Sequence, residues 1–272
     1  MNFFISKNLK PASLACTTML AGLAMLNTAY GQSPESDKEA KPETPKEEAN
    51  KNELKVIKLS EHVYQLGKVT FNKKTREIMI PATAEIVGAE VVEYALVTSQ
   101  GKIHESLFIT DAKPSHVNIA FKLLGYKEAK YLFRKVNKNF QPQEDYETST
   151  DEEKKKSKFH VNASWTVKGE KKSYPIEELV SNPRNDQKLE STPWVYGGSF
   201  VYKGSYVADK NNDILAIFTD RAAVANYAGE GREDDTLWSP NSKVLPRHGT
   251  AVTITLSPHK DKVEAAEKIN AK

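Results

Sequence analysis

The sequence predicts an α+β fold in which β dominates: antiparallel hairpins and a meander, with two or three short helices packed on the sheet. Three observations predict it. Short apolar runs that alternate or fill four to six positions recur between turn residues, as in Val63 to Phe71, Lys102 to Thr110 and Thr250 to Leu256. One helix carries both start and stop signals, Pro114 and Gly125. No fixed-period repeat organises the rest, so about ten or eleven strands stand against two or three short helices in one layered domain.

The first strands are Val56 to Leu59 and Val63 to Phe71, turning at Asn72-Lys73-Lys74. Glu77 to Ile86 follows, interrupted by Pro81, which cannot donate a ladder bond and so predicts an edge strand or a bulge. Val91 to Ser99 and Lys102 to Thr110 flank Gln100-Gly101, a hairpin signal. In the helix after Pro114, Val117, Ala120, Phe121 and Leu124 keep the i, i+3, i+4, i+7 spacing of a core face, expected to pack on that hairpin. Asn137 to Lys158 is polar and charged and reads as a surface insertion. Phe159 to Val167 resumes as strand, and Ile176 to Val180 has room for one or two helical turns. A meander is expected over Trp194 to Tyr196, Ser199 to Tyr202, Ser205 to Asp209 and Asp213 to Thr219. Ile214 to Phe218 is apolar on both faces, which places it inside a layer. A short helix is expected over Arg221 to Tyr227, capped by Asp220.

The ends of the chain frame this domain, expected over residues 53–257 with the charged insertion at 137–158. Residues 1–31 have the three parts of a signal peptide: Lys7 and Lys10, the apolar stretch Ala12 to Leu26, and small residues at Ala29 and Gly31 ahead of Gln32. A retained anchor, or a lipoprotein signal at Cys16, fits the length and order of these parts less well. Residues 32–52 form a charged, proline-containing linker expected to be disordered, and residues 258–272 a charged tail. The chain is thus expected to be exported, to a periplasm or outside the cell, with no transmembrane segment in the mature form.

Composition narrows the chemistry. Cys16, the single cysteine, departs with the signal, which leaves no disulfide, thiolate ligand or cysteine nucleophile. Of 39 basic and 36 acidic residues, Lys7 and Lys10 also leave, so the mature balance is 37 to 36. That balance gives no electrostatic footprint for nucleic acid or an acidic membrane. No cofactor is expected.

Several segments taken in order carry a family likeness. They are Gly101-Lys102-Ile103-His104-Glu105-Ser106-Leu107, Lys113-Pro114-Ser115-His116, Leu123-Leu124-Gly125 and Trp194-Val195-Tyr196-Gly197-Gly198-Ser199. Ala208-Asp209, Asp234-Asp235 with Leu237-Trp238, Pro240-Asn241 and Gly249-Thr250 continue the series. Together they resemble the YdjY-domain family of exported bacterial proteins, over roughly Leu54 to Leu256. The resemblance implies export and a single domain, and supplies no catalytic residues. Some relatives are described as ferredoxin-like; without mature cysteines this chain holds no thiolate-ligated cluster.

Glu105 is the sharpest candidate. If Gln100-Gly101 closes a two-residue turn, Glu105 stands opposite Leu96 among Val92, Tyr94, Leu107 and Ile109, a buried carboxylate that demands a partner. A slip of one residue in register would move it to the other face. His104 and His116 lie nearby in sequence, although their spacing matches no metal motif and no metal is expected. Asp234 and Asp235 sit in a flexible acidic loop, and Trp194 and Trp238 are candidates for a stacking cleft or for core anchors. Asp209 to Asp213 fails as a calcium loop because Ile214 replaces the needed glycine, and Ser199 fails as a nucleophile elbow because Val201 replaces another. The function expected is a non-catalytic binding or assembly module of the envelope, with a small ligand or envelope protein as partner. The alternative is a cysteine-free hydrolase or metal-assisted enzyme using Glu105, His116 and Asp234-Asp235.

Overall fold

The computed structural model describes residues 55–85, 91–139 and 141–260. The expected signal, the linker and nearly all of the tail lie outside the described residues. A meander of β1 (Val56–Lys58), β2 (Val63–Leu66) and β3 (Val69–Asn72) leads into β4 (Glu77–Ala84). Then come β5 (Tyr94–Thr98), β6 (Ser106–Thr110) and helix α1 (Pro114–Leu123). A hairpin pairs β7 (Arg134–Val136), just before the expected insertion, with β8 (Pro142–Tyr146) inside it, and helix α2 (Asp151–Lys156) follows. The long strands β9 (Lys158–Val167) and β10 (Glu170–Pro175) follow, then β11 (Val180–Ser181), β12 (Trp194–Tyr196), and a short hairpin of β13 (Val201–Tyr202) and β14 (Ser205–Tyr206). Helix α3 (Val207–Asn211), β15 (Asp213–Ala216), β16 (Ala225–Asn226), β17 (Ser239–Pro240) and β18 (Ala251–Pro258) complete the order.

Eight strands close a barrel-like ring in the order β4, β18, β9, β12, β16, β15, β5, β6 and back to β4. Its interior follows from the two-residue period of a strand. In β9 the buried positions are Phe159, Val161, Ala163 and Trp165, and in β18 they are Val252, Ile254 and Leu256. Ladder pairing sets Ile254 beside both Ile80 and Ala163, and Leu256 beside both Ile78 and Val161, so apolar side chains meet in layers. Helix α1 adds Val117, Ala120 and Phe121 to the core, with Phe121 stacked 4.4 Å from Tyr196. Its main contacts are with β3, β4, β15 and α3. Gly125 takes the left-handed conformation after that helix, as its position predicts.

Several local expectations are corrected. The strands β5 and β6 run parallel: Tyr94 faces Ser106 and Leu96 faces Phe108. Gln100-Gly101 does not close a hairpin. The chain coils back through a 3-10 turn at Ile103–Glu105, where Ile103 packs on Tyr94, Val97, Ala216 and Ala223. Strand β4 is no edge. On one side it pairs with β18 throughout; on the other its neighbour changes from β3 at Met79 to β6 at Thr83, and Pro81 sits in that gap, where no ladder donor is needed. Residues 207–211 are helical rather than extended, and the helix expected after Asp220 is a series of turns ending in β16. Strand β15 is buried at every position, as its two apolar faces predict.

Candidate functional site

A second parallel pair, β15 with β16, requires the chain to cross back over residues 217–224. This crossover is tied down at both ends. Ile217 N and Phe218 N donate to Glu93 O at 2.7 and 3.0 Å, and Gly198 N donates to Val224 O at 2.8 Å. In its middle, Asp220 N donates to Asn226 Oδ1 at 2.7 Å and Asp220 Oδ1 accepts from Ala222 N at 2.8 Å. Asp220 thus caps a turn, although the helix expected there is absent.

The crossover borders a buried carboxyl pair. Asp213 opens β15 with no accessible surface, and neither of its oxygens accepts a well-formed hydrogen bond. The Asp220 carboxyl and the Asn211 amide are near enough to interact with it. Burial, and then the negative charge of Asp220, pushes the Asp213 carboxyl up to about 7. Asp213 is therefore protonated at moderately acid pH. Asp220 Oδ2 accepts from Tyr94 Oη at 3.1 Å, and the Lys102 ammonium donates to the same phenol while lying 4.4 Å from its ring centre. Burial and the nearby carboxylates drive the Tyr94 phenol well above its ordinary range.

Polar atoms left without partners gather here. Among the described residues, the buried unpaired side-chain atoms belong to Asp213, Thr219, Asn226 and Arg232. Asn226 lies on β16, Thr219 lies in the crossover, and Arg232 is joined to it by a bond from Thr219 N to Arg232 O of 2.6 Å. Buried polar groups are paired almost everywhere in folded proteins, so this concentration singles out the crossover as the candidate ground.

The same crossover walls a cleft of about 500 Å³. Phe218, Thr219 and Arg221 come from it; Leu132, Phe133 and Arg134 come from the segment entering β7. Pro142 of β8 and Glu233 complete the lining. The charged insertion, expected to be solvated, contributes Pro142 to this wall and is docked by ion pairs and hydrogen bonds. Arg134 Nη2 bonds Glu233 Oε2 at 2.9 Å, and the Tyr146 hydroxyl donates to the other oxygen of Glu233. Arg221 bonds the Glu147 carboxylate and Arg134 O, with its guanidinium 5.2 Å from the Phe133 ring centre. The Tyr146 and Arg134 hydrogen bonds hold the Glu233 carboxyl below its usual range.

The residues singled out in the sequence are distributed around and away from this ground. Glu105 ends the 3-10 turn, half-buried and off the ladder, because the parallel pairing removes it from the face opposite Leu96. Its charge acts on Glu93, whose carboxyl is pushed up by burial and then by Glu105. Asp235 acts on Glu93 too, so Glu105 and Asp235 share one acidic neighbourhood. Asp234 and Asp235 are exposed, and Asp234 Oδ1 binds Thr236 N at 2.9 Å in a local turn. His104 is exposed. His116 is buried against Gly67, where a Cβ would stand 2.3 Å from its Nδ1 and the backbone is left-handed. Trp194 is fully buried with Nε1 donating to Glu177 at 2.9 Å, and Trp238 donates to Gly231 O at 3.3 Å, so both act as core anchors. Among the described residues no group of three or more His, Cys, Asp or Glu side chains is placed to hold a metal ion. Sequence reasoning placed Asp213 in a rejected calcium loop and at the start of a strand, and did not single it out as a candidate. Its signal was available: an acid opening a strand apolar on both faces has no solvated side to occupy.

A family model described as the YdjY domain matches residues 69–257. No curated protein and no solved structure matches the chain.

Proposed function

The chain belongs to the YdjY domain family, and from the cleft its fold carries we propose that it is an exported, non-catalytic binding module of the cell envelope. The observation behind this reading is the cleft of about 500 Å³ floored by Leu132, Phe133 and Phe218, a size and lining suited to a small molecule. Leu132 and Phe133 are buried behind the cleft wall, and Phe218 is the part-buried apolar side chain among the three. The signal-like N-terminus and the charged linker support a domain held at a distance from its attachment or released from it.

The reading is tested with N-phenyl-1-naphthylamine, a neutral aromatic probe that fluoresces in apolar surroundings. The wild type is expected to enhance its emission and Phe218→Ala to reduce that enhancement. Val201→Ser, which removes an exposed apolar side chain from the β13–β14 hairpin, is expected to leave it unchanged. Enhancement that ignores residue 218 sinks the cleft. Export is tested separately by N-terminal sequencing of the cell-envelope fraction, with Gln32 expected as the first residue.

Acid–base catalysis is a second reading, favoured by one observation: Asp220, Tyr94 and Lys102 are linked in a chain that ends at the buried Asp213. Hydrolysis in an ester and phosphoester panel that Asp220→Asn abolishes would replace the first reading.

A further inference from the structure

We infer that the ligand taken by this cleft is an anion with an apolar, preferably aromatic, body, its charged group held at the arginine rim. This inference rests on the cleft being a binding site. Two guanidiniums, Arg134 and Arg221, line the cleft against one carboxylate, Glu233, and each is tied to an acid, Arg134 to Glu233 and Arg221 to Glu147. The lining therefore presents more donors than acceptors to a ligand, and an anion matches it.

The geometry favours a planar acidic group. Arg221 lies against Phe133 and Arg134 lies 5.5 Å from the Tyr146 ring centre, so both guanidiniums are laid along aromatic surfaces before any ligand arrives. A guanidinium held in this way presents its N–H edge as a fork that matches carboxylate or sulfonate oxygens, and little side-chain entropy remains to be lost. The half-exposed pairing with Glu233 leaves Arg134 exchangeable, because exposed ion pairs are weak and are readily traded for a better acceptor. Beneath the rim, the part-buried Phe218 offers aromatic surface to the body of the ligand, with Phe133 buried behind Arg221.

Two probes that share one aromatic body separate this inference from the reading beneath it. N-phenyl-1-naphthylamine is neutral, and 1-anilinonaphthalene-8-sulfonate adds a single anionic group. Arg221→Ala is expected to weaken the sulfonate by about tenfold, the size of one charge-assisted hydrogen bond, with the neutral probe changed less than about twofold. Arg221→Lys keeps the charge without the fork and is expected to fall between. Glu233→Gln acts in the opposite direction: it removes an acid from the lining and is expected to tighten the sulfonate several-fold relative to the neutral probe. Because Arg221 and Glu233 both dock the insertion, the ratio of the two probes' affinities is the readout, since undocking weakens both probes alike. Sulfonate binding that is indifferent to both Arg221 and Glu233, with the neutral probe still bound, overturns the anionic ligand and leaves the cleft standing. Loss of both probes from the wild type removes the cleft as well.

Discussion

At the scale of single residues, Asp213 has the clearest consequence. Its carboxyl is held at about 7 in the folded protein against 3.8 for an ordinary aspartate, so the folded state keeps a proton that the unfolded chain releases. Folding then binds protons between those values. Stability is greatest below about pH 4, falls as pH rises through the interval to about 7, and is level above it. The loss amounts to a few kcal/mol for a carboxylate with no accessible surface. Asp213→Asn keeps the shape without the charge, and urea midpoints measured from pH 4 to pH 8 are expected to lose that downward slope. The variant should surpass the wild type at pH 8. A slope that persists in the variant would place the responsible proton elsewhere. Sequence reading found a carboxylate among apolar neighbours but chose Glu105, because the alternation of β5 and β6 is the same for parallel and antiparallel partners. Only the direction of pairing, decided by Ile103 folding back onto Tyr94 and Val97, separates the two.

At the scale of elements, the two parallel crossovers and the docked insertion set the site. Helix α1 and the long strands were legible because each is amphipathic on its own account, with Pro114 and Gly125 marking the helix ends. The insertion was not: residues 142–145 are all exposed, and their hairpin is specified by partners far away in sequence. Arg221 and Glu147 are separated by 74 positions and Tyr146 and Glu233 by 87, distances over which no local pattern operates. This dependence predicts a separable element. Tyr146→Phe combined with Glu147→Gln removes two of the docking bonds and leaves the barrel core intact. Backbone amides of β7 and β8 are expected to exchange at least about tenfold faster, as for loss of one to two kcal/mol of local stability, while β9 and β18 keep their protection. Uniform acceleration across the barrel would show that the insertion is part of the core unit instead.

At the scale of the whole molecule, the ring is paired unevenly. Strand β18 pairs with β4 over six positions and with β9 over six, whereas the β4–β6 seam, at Thr83 with Ile109 and Ala84 with Phe108, spans two, as do β9–β12, β12–β16 and β15–β16. The seam is lengthened by Glu85 N donating to Leu107 O at 2.9 Å, and by the Thr110 hydroxyl donating to Pro81 O at 2.6 Å, the latter in the gap left by the proline. Thr110 is nearly fully buried, so Thr110→Val removes the donor, keeps the volume and costs about 1 kcal/mol. The cost is expected to appear locally, as faster exchange of the Glu85 amide, because opening β4 from β6 leaves the β4–β18–β9 layers together. Leu256→Ala behaves differently. It hollows the layer shared with Ile78 and Val161 and should lower global stability by about 2–5 kcal/mol, speeding exchange across the ring. If Thr110→Val instead lowered protection of β9 and β18 as much as that of Glu85, the ring would open as one unit and the β4–β6 seam would not open on its own.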